Sequence, residues 1–183
     1  MTIFQKLLVT LPLAMSVCGA FAGIEIKATY TDKQGAEITE TTNFTAEAPL
    51  HVLLTSNPTD LDPAASIEWH IRNQVTGTSI TRYEQDTEYT LTEAGLTEFT
   101  VNVRVDDEVV ETASLGITIS ESVLEMPNAF TPNGDQHNDK YQAKQTSKSI
   151  VEFHGYIFNR WGQKLYDWTD WVDVESGWDG TYN

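Results

Sequence analysis

Apolar residues recur at every second position along most of this 183-residue chain, and that period is the feature that most limits its fold. The alternation places Ile67, Trp69 and Ile71 on one face of a strand. The runs 99–105 and 115–119 repeat it, and Gly, Pro, Asn and Asp residues separate the runs. No segment keeps a helical period over three turns. The pattern predicts an all-β protein made of antiparallel β-sandwich modules.

The N-terminal residues 1–22 read as a secretory signal peptide. Lys6 precedes a short apolar run, and residues 20–22 place small side chains around a cleavage point. The apolar run is too short for a permanent anchor, so we expect cleavage after Ala22 and no integral membrane segment in the mature chain. Lipidation of Cys18 is the alternative, although a valine stands directly before it where lipoprotein signals carry a small residue.

The charge balance and the cysteine count exclude several classes of protein. The chain carries 11 Lys and Arg against 27 Asp and Glu, a formal net charge of −16, and offers no basic stripe to a nucleic acid. Cleavage after Ala22 removes the one cysteine, so we expect neither a disulfide framework nor a thiolate metal site in the mature protein. Hydrophobic burial must therefore hold the mature chain together.

Composition changes near Ser122 and divides the mature chain into two predicted modules. Residues 23–121 carry 5 basic and 18 acidic side chains, whereas residues 122–183 carry 5 and 9. Four of the five tryptophans lie in the second stretch. We therefore predict a strongly acidic first module and a second module rich in large aromatic residues.

The first module contains a Trp-bearing strand followed by a hairpin with a recognisable pattern. Residues 89–103 read Tyr-Thr-Leu-Thr-Glu-Ala-Gly-Leu-Thr-Glu-Phe-Thr-Val-Asn-Val, and Trp69 stands on the strand before them. This combination resembles the PKD-like branch of immunoglobulin-like domains, which implies an immunoglobulin-like β-sandwich. The residues agree with that fold, because Gly95 permits a tight turn and alternation sends Phe99 and Val101 into the core.

Three short blocks characterise the second module. Residues 127–139 read Pro-Asn-Ala-Phe-Thr-Pro-Asn-Gly-Asp-Gln-His-Asn-Asp, residues 157–162 read Ile-Phe-Asn-Arg-Trp-Gly, and residues 178–180 read Trp-Asp-Gly. In order and spacing these blocks resemble the gliding motility-associated C-terminal domain family, the type B sorting domains of the type IX secretion system. The resemblance implies a second sandwich that an outer-membrane translocon recognises before the exported protein is released or attached to the cell surface.

The resemblance also implies which residues form the sorting motif. They are Pro127, Asn128, Phe130, Thr131, Pro132, Asn133, Gly134, Asp135, Asn138, Asp139, Asn159, Arg160, Trp161, Gly162, Trp178, Asp179 and Gly180. Family members continue with further strands after the third block. We therefore expect the second immunoglobulin-like sandwich to be incomplete, with an unpaired edge, and the sequence to be a fragment or a truncated copy.

Local chemistry predicts two turns in these blocks. Residues 133–135, Asn-Gly-Asp, are a strong turn signal. The second block stands between two strand-like segments, 151–158 and 164–168, and so predicts a hairpin tip at which Gly162 supplies a positive φ. At that tip the guanidinium of Arg160 is able to lie over an aromatic ring.

A cluster of oxygen and nitrogen donors in the first block is the one candidate metal site. On a tight loop its members could present two or three oxygens to Ca²⁺. The reading that we favour is that the side chains cap their own turn, because no bidentate Glu follows at the spacing of a calcium loop. The candidate residues are Asn133, Asp135, Asn138 and Asp139, with His137 among them.

No constellation of residues points to catalysis. The four histidines have no paired spacing, and the mature chain has no nucleophilic Cys, no P-loop and no Gly-x-Ser-x-Gly motif. Trp168, Trp171 and Trp178 are candidates for a flat surface that stacks on sugar rings. We expect them instead to fill the core, because a sandwich of this size needs large aromatic side chains there.

The sequence therefore predicts a non-enzymatic protein exported to the cell surface, outer membrane or medium of a Gram-negative bacterium. By resemblance, its second module binds the outer-membrane secretion machinery and needs no cofactor, with Ca²⁺ as the remaining alternative. Its first module serves adhesion or protein interaction, with a protein or polysaccharide as ligand and no nucleic acid. The alternatives are a carbohydrate-binding accessory module, or the terminal piece of a larger secreted hydrolase or adhesin.

Overall fold

The computed structural model describes residues 23–58, 61–173 and 175–182. The predicted signal peptide and the alternative lipidation at Cys18 lie outside these residues. Strands account for all the regular structure described, and no helix occurs in these ranges, which confirms the all-β prediction. The strands are β1 (Lys27–Thr31), β2 (Glu37–Glu40), β3 (Phe44–Ala46), β4 (Leu50–Thr55), β5 (Ser66–Asn73), β6 (Ser79–Arg82), β7 (Asp86–Leu91), β8 (Gly95–Val105), β9 (Glu108–Ile119), β10 (Gly155–Phe158) and β11 (Lys164–Trp168).

The first nine strands form two sheets that pack face to face. One sheet has four antiparallel strands in the order β2-β1-β4-β7. The other has five strands in the order β3-β9-β8-β5-β6, in which only the β3–β9 pair is parallel. Apolar side chains from both sheets form one continuous core, as in an immunoglobulin-like sandwich.

The alternation in the sequence correctly identifies the inward face of the central strands. Trp69 pairs with Val101 and Ile71 pairs with Phe99 across β5 and β8, and all four side chains are buried. The indole Nε1–H of Trp69 donates to the carbonyl oxygen of Glu84 at 3.1 Å. The one polar atom of this buried ring is thus paired, as burial requires.

Gly95 begins β8 at a position where no other residue fits. Its φ is +106°, which L side chains rarely adopt, and a Cβ built on it would lie 2.3 Å from Cγ2 of Val75. The backbone conformation therefore requires glycine, and any larger residue would also displace the exposed side chain of Val75.

The second module has less regular structure than the first. β10 and β11 form a two-stranded antiparallel hairpin, and isolated bridges join Val123 to Lys148 and Tyr141 to Trp178. The predicted strand over residues 151–158 starts too early. Pairing begins only at Gly155, because its partner Trp168 is the last residue of β11.

Hydrogen bonds of one buried serine, Ser149, join the two modules. The hydroxyl oxygens of Ser120, at the end of the first module, and Ser149, in the second, lie 2.6 Å apart. The backbone N–H of Ala48 donates to the same Ser149 oxygen at 3.4 Å. Nearby, the ammonium group of Lys33 contacts Glu47 and lies 5.9 Å from the ring centroid of Trp171. The modules therefore make direct side-chain contacts with each other.

Candidate functional site

The first and third sequence blocks pack against each other although about fifty residues separate them. The ring centroid of Phe130 lies 5.6 Å from that of Trp178 and 5.8 Å from that of Tyr141. Tyr141 and Trp178 exchange two backbone hydrogen bonds of 2.7 and 3.1 Å. A Cβ on Gly180 would lie 3.3 Å from Cζ of Phe130, so this ring packs closely on the backbone of the third block. The pairing gives both blocks a common aromatic centre.

One carboxylate organises the loop of the first block. Oδ1 of Asp139 accepts hydrogen bonds from the backbone N–H groups of Asn133 at 2.9 Å and Gly134 at 2.7 Å. Its Oδ2 accepts from the N–H of Gln136 at 2.7 Å. The hydrogen bond from Gly134, with those from Gln136 and Asn133, holds the pKa of Asp139 below its ordinary value, because the donors stabilise the ionised form.

This loop geometry supports the turn-capping reading of the candidate calcium residues. Both oxygens of Asp139 already accept N–H donors, and Asp135 accepts from the backbone N–H of His137 at 2.9 Å and from the side-chain amide of Asn133 at 3.0 Å. In the described ranges, no group of three or more His, Cys, Asp or Glu side chains is placed to hold a metal ion. The carboxylates act on their own backbone, as in Asx turns.

The remaining residues of the first block frame the same loop. The N–H of Thr131 donates to the carbonyl oxygen of Asn138 at 2.8 Å and closes the loop. Pro132 lies near Gly180 of the third block, at 3.4 Å from the position of a Cβ there. Pro127 is half-buried, whereas Asn128 is exposed and makes no side-chain hydrogen bond among the described residues.

The second block forms the predicted hairpin tip between β10 and β11. Oδ1 of Asn159 accepts the backbone N–H groups of Trp161 and Gln163, each at 3.0 Å, and Gly162 has a φ of +81°. The guanidinium carbon of Arg160 lies 4.2 Å from the centroid of the Trp161 ring, the cation–π contact that the sequence allows. The tip is therefore an ordered turn.

Hydrogen bonds connect this hairpin to the region of the third block. The side-chain amide of Gln163 donates to the hydroxyl of Tyr182, and the hydroxyl of Tyr166 donates to the carbonyl oxygen of Ser176 at 2.9 Å. The ammonium of Lys140 donates to a carboxylate oxygen of Glu175 at 2.6 Å, and this bond raises the pKa of Lys140. All three sequence blocks thus belong to one connected structure.

Within the third block, Asp179 caps the turn that follows it. Its Oδ1 accepts from the hydroxyl of Thr181 at 2.7 Å and from the N–H of the same residue at 2.9 Å. The hydrogen bond from the Thr181 hydroxyl is the main cause of a lowered pKa of Asp179, and the bond from the Thr181 N–H adds to it. The indole N–H of Trp178 donates to the carbonyl oxygen of Thr181 at 2.8 Å, so both motif side chains stabilise one turn.

The tryptophans considered as a sugar-stacking surface do not form one. Trp168 is 7% exposed and contacts the rings of Phe153 and Tyr166, which confirms its predicted place in the core. Trp171 and Trp178 are half-buried at different places in the module. The exposed tryptophan is Trp161, with 75% of its surface open to solvent.

Sequence reasoning missed a hydrogen-bonded row on the face of the hairpin. The hydroxyl of Tyr156 lies 2.7 Å from Nδ1 of His154, and Nε2 of His154 lies 3.1 Å from a carboxylate oxygen of Asp167. The hydrogen bond from Lys164 is the main cause of a lowered pKa of Asp167, and the hydrogen bond from His154 adds to it. Only the register of β10 against β11 brings these groups together, so no local motif signals them.

A comparison with known families identifies a match for the second module. Residues 124–183 match the CHU_C type IX secretion signal domain. The matched range contains all three sequence blocks and the hairpin. No curated protein and no solved structure gives a significant match to the chain. The match supports a secreted or surface protein that carries a type IX sorting signal.

The same match implies an interaction with the secretion machinery, and a location at the cell surface or outside the cell. In the part of the chain that the structure describes, no helix is long and apolar enough to cross a membrane.

Proposed function

We propose that this protein is a non-enzymatic, exported binding protein of two parts. Residues 23–121 form a PKD-like immunoglobulin-like module that serves adhesion or protein interaction, and residues 122–183 form the sorting signal that delivers it to the surface of a Gram-negative bacterium. The observation that carries the proposal is the joining of three distant sequence blocks into one module whose residues match a type IX secretion signal domain.

The outer faces of the first module support a binding role. Pairs of polar side chains face each other across neighbouring strands, with 3.1 Å between the hydroxyls of Thr100 and Ser114 and 2.8 Å between Thr112 and Asn102. Such cross-strand pairs stabilise the sheet and leave polar groups on its outer face that a ligand could contact. Immunoglobulin-like sandwiches perform many binding tasks, so the fold is compatible with this role without specifying the ligand.

The experiment that tests the sorting function is cell fractionation of a bacterium that has a type IX secretion system. The full chain is compared with a variant that lacks residues 124–183. We expect the full chain on the cell surface or in the medium, and the shortened chain in the periplasm. Equal export of both proteins contradicts the proposal.

Adhesion is tested separately with the purified mature chain. We expect residues 23–121 to account for its binding to cells or to extracellular protein, and we expect no hydrolysis of peptide, ester or glycoside substrates. Hydrolysis that persists after further purification of the folded protein contradicts the non-enzymatic assignment.

A further inference from the structure

Three aromatic side chains are exposed on the hairpin of the second module. Trp161 at the tip is 75% exposed, Phe158 is 57% exposed and Tyr156 is 47% exposed. The rings of Tyr156 and Phe158 stack with centroids 6.1 Å apart. We call Tyr156, Phe158 and Trp161 the aromatic row. Grouped aromatic surface of this kind marks interaction sites, whereas single exposed apolar residues need no explanation.

The aromatic row is held in place before any partner binds. The side chain of Asn159 accepts two backbone N–H groups of the tip, and the N–H of Gly162 donates to the carbonyl oxygen of Asn159 at 3.0 Å. At the other end, the chain of contacts from Asp167 through His154 fixes the hydroxyl of Tyr156. A preorganised surface loses less conformational entropy on binding.

The tip also carries a positive charge, on Arg160, that no carboxylate among the described residues neutralises. Three of the four lysines of the same module lie within 4.0 Å of a carboxylate, Lys140 at 2.6, Lys144 at 3.8 and Lys164 at 2.9 Å, whereas Lys148 forms no ion pair among the described residues. Arg160 forms no ion pair among the residues that the structure describes, and its contact there is the ring of Trp161. In a chain of net charge −16, an unpaired cation beside exposed aromatic rings is complementary to an acidic partner.

The orientation of the rings favours a protein pocket over a sugar. Stacking on a sugar needs an open ring face, but His154 and Phe158 both stack against Tyr156, with centroids 4.0 and 6.1 Å away. Arg160 covers one face of Trp161. The ring of Tyr156 and one face of Trp161 are therefore partly covered within the protein, which leaves less open ring face for a sugar than for the side chains of a protein pocket. Trp, Tyr and Arg are the residues that most often dominate the energy of protein interfaces.

We propose that the aromatic row and Arg160 are the surface through which the second module binds a protein of the export machinery, in an apolar pocket rimmed by carboxylates. This inference rests on the proposed sorting function and names the surface and the chemistry of its partner. Trp161 fills the pocket, while the guanidinium of Arg160 pairs with a carboxylate at its rim.

The test uses export of the full chain with the substitutions Trp161→Ala and Tyr83→Ala. Tyr83 is the matched control, because it is an aromatic residue 73% exposed on the first module. We expect Trp161→Ala to lower the exported fraction about tenfold, as loss of an interface hot spot does, with Tyr83→Ala exported like the original. Both variants keep the original melting temperature, since both side chains face solvent. Normal export of Trp161→Ala overturns the inference.

A second pair of variants tests the chemistry of the partner. Arg160→Lys keeps the charge and is expected to retain most export, whereas Arg160→Glu is expected to reduce it at least as much as Trp161→Ala. Equal export of the Glu and Lys variants contradicts the proposal that carboxylates rim the partner's pocket. Retention of the purified chain on insoluble cellulose or chitin that depends on Trp161 also overturns the inference, because it identifies a sugar surface.

Failure of this inference is distinguishable from failure of the sorting function. If removal of residues 124–183 blocks export while Trp161→Ala and Arg160→Glu are exported normally, the module sorts the protein through another surface. If the shortened chain is exported normally, the sorting function itself is wrong.

Discussion

At the scale of single residues, the loop of the first block depends on the ionisation of one side chain. Asp139 accepts three backbone N–H groups, and these bonds lower its pKa. A carboxyl group whose pKa is lower in the folded state than in the unfolded state stabilises the fold at pH values above its unfolded pKa. This stabilisation is complete above the ordinary value of 3.8 and is lost as the pH falls through the folded pKa of Asp139.

The substitution Asp139→Asn should therefore remove the pH dependence of the loop structure in acid. In the original protein we expect the amide chemical shift of Gly134 to titrate with a midpoint below pH 3.8, because its N–H donates to Oδ1 of Asp139. The variant should lack this titration. NMR measures it, with Asp62→Asn as control, since Asp62 accepts the N–H of Ala64 in the other module. An unchanged Gly134 titration in Asp139→Asn contradicts the loop's dependence on this carboxylate.

A second residue-scale prediction concerns the core of the first module. Trp69 is fully buried, so Trp69→Ala leaves a large cavity and should lower the free energy of unfolding by about 3–5 kcal/mol. Urea denaturation followed by circular dichroism measures the change. Tyr83→Ala removes an exposed ring and should change the same quantity by less than about 0.5 kcal/mol. Equal effects of the two substitutions argue against the buried position of Trp69.

At the scale of elements, the β10–β11 hairpin depends on a glycine opposite a tryptophan. Gly155 pairs with Trp168, and a Cβ on Gly155 would lie 2.6 Å from the indole ring. The ring packs directly on the backbone of the opposite strand, which buries Trp168 without a third strand beside it. Packing across the hairpin, more than strand pairing alone, therefore stabilises this two-stranded sheet.

Gly155→Ala should push this ring out of place and lower the free energy of unfolding of the second module by about 1–3 kcal/mol, the range for overpacked sites. Thermal denaturation monitored by tryptophan fluorescence measures the effect. Gly23→Ala is the matched control, because a Cβ at Gly23 would meet nothing within 4 Å. The combination Gly155→Ala with Trp168→Leu should recover part of the loss. If Gly155→Ala melts like Gly23→Ala, the close packing is wrong.

At the scale of the whole molecule, the hydrogen bonds of one buried serine connect the two modules. Ser149 is 4% exposed and its hydroxyl contacts Ser120 of the first module. The strand β9 ends at Ile119, so the contact occurs directly after the last strand of the sandwich. The second module is therefore attached to the first module through a defined junction.

Ser149→Ala should loosen this junction, because the Ser120 hydroxyl and the Ala48 N–H lose their shared partner. Loss of a buried hydrogen bond costs about 1 kcal/mol, which raises the population of the open junction about fivefold. We therefore expect a glutamate-specific protease to cleave at Glu121 and Glu125 about fivefold faster. Ser114→Ala removes an exposed hydroxyl within the first module and should leave the rate unchanged. Equal cleavage rates for the two variants contradict a structural role for Ser149.

Short-range sterics determine the features of local structure that the sequence predicts correctly. Alternation correctly predicts the inward faces of β5, β8 and β9, because a pleated strand turns every second side chain to the same side. Gly162 correctly predicts a turn, because a positive φ is accessible to glycine. The hairpin predicted around Gly95 is wrong, because β7 and β8 belong to different sheets and Gly95 begins β8. The order and spacing of the three blocks likewise identify the sorting module, as the family match supports.

Long-range pairing decides the features that the sequence does not reveal. The strand over 151–158 is shorter than predicted because β11 ends opposite Gly155, and His154 meets Asp167 only through that register. Trp168 and Trp161 are the same residue type seven positions apart, yet one is buried and the other exposed. Burial depends on which backbone lies opposite a side chain, and residues distant in the chain supply that backbone, so local sequence carries no signal for it.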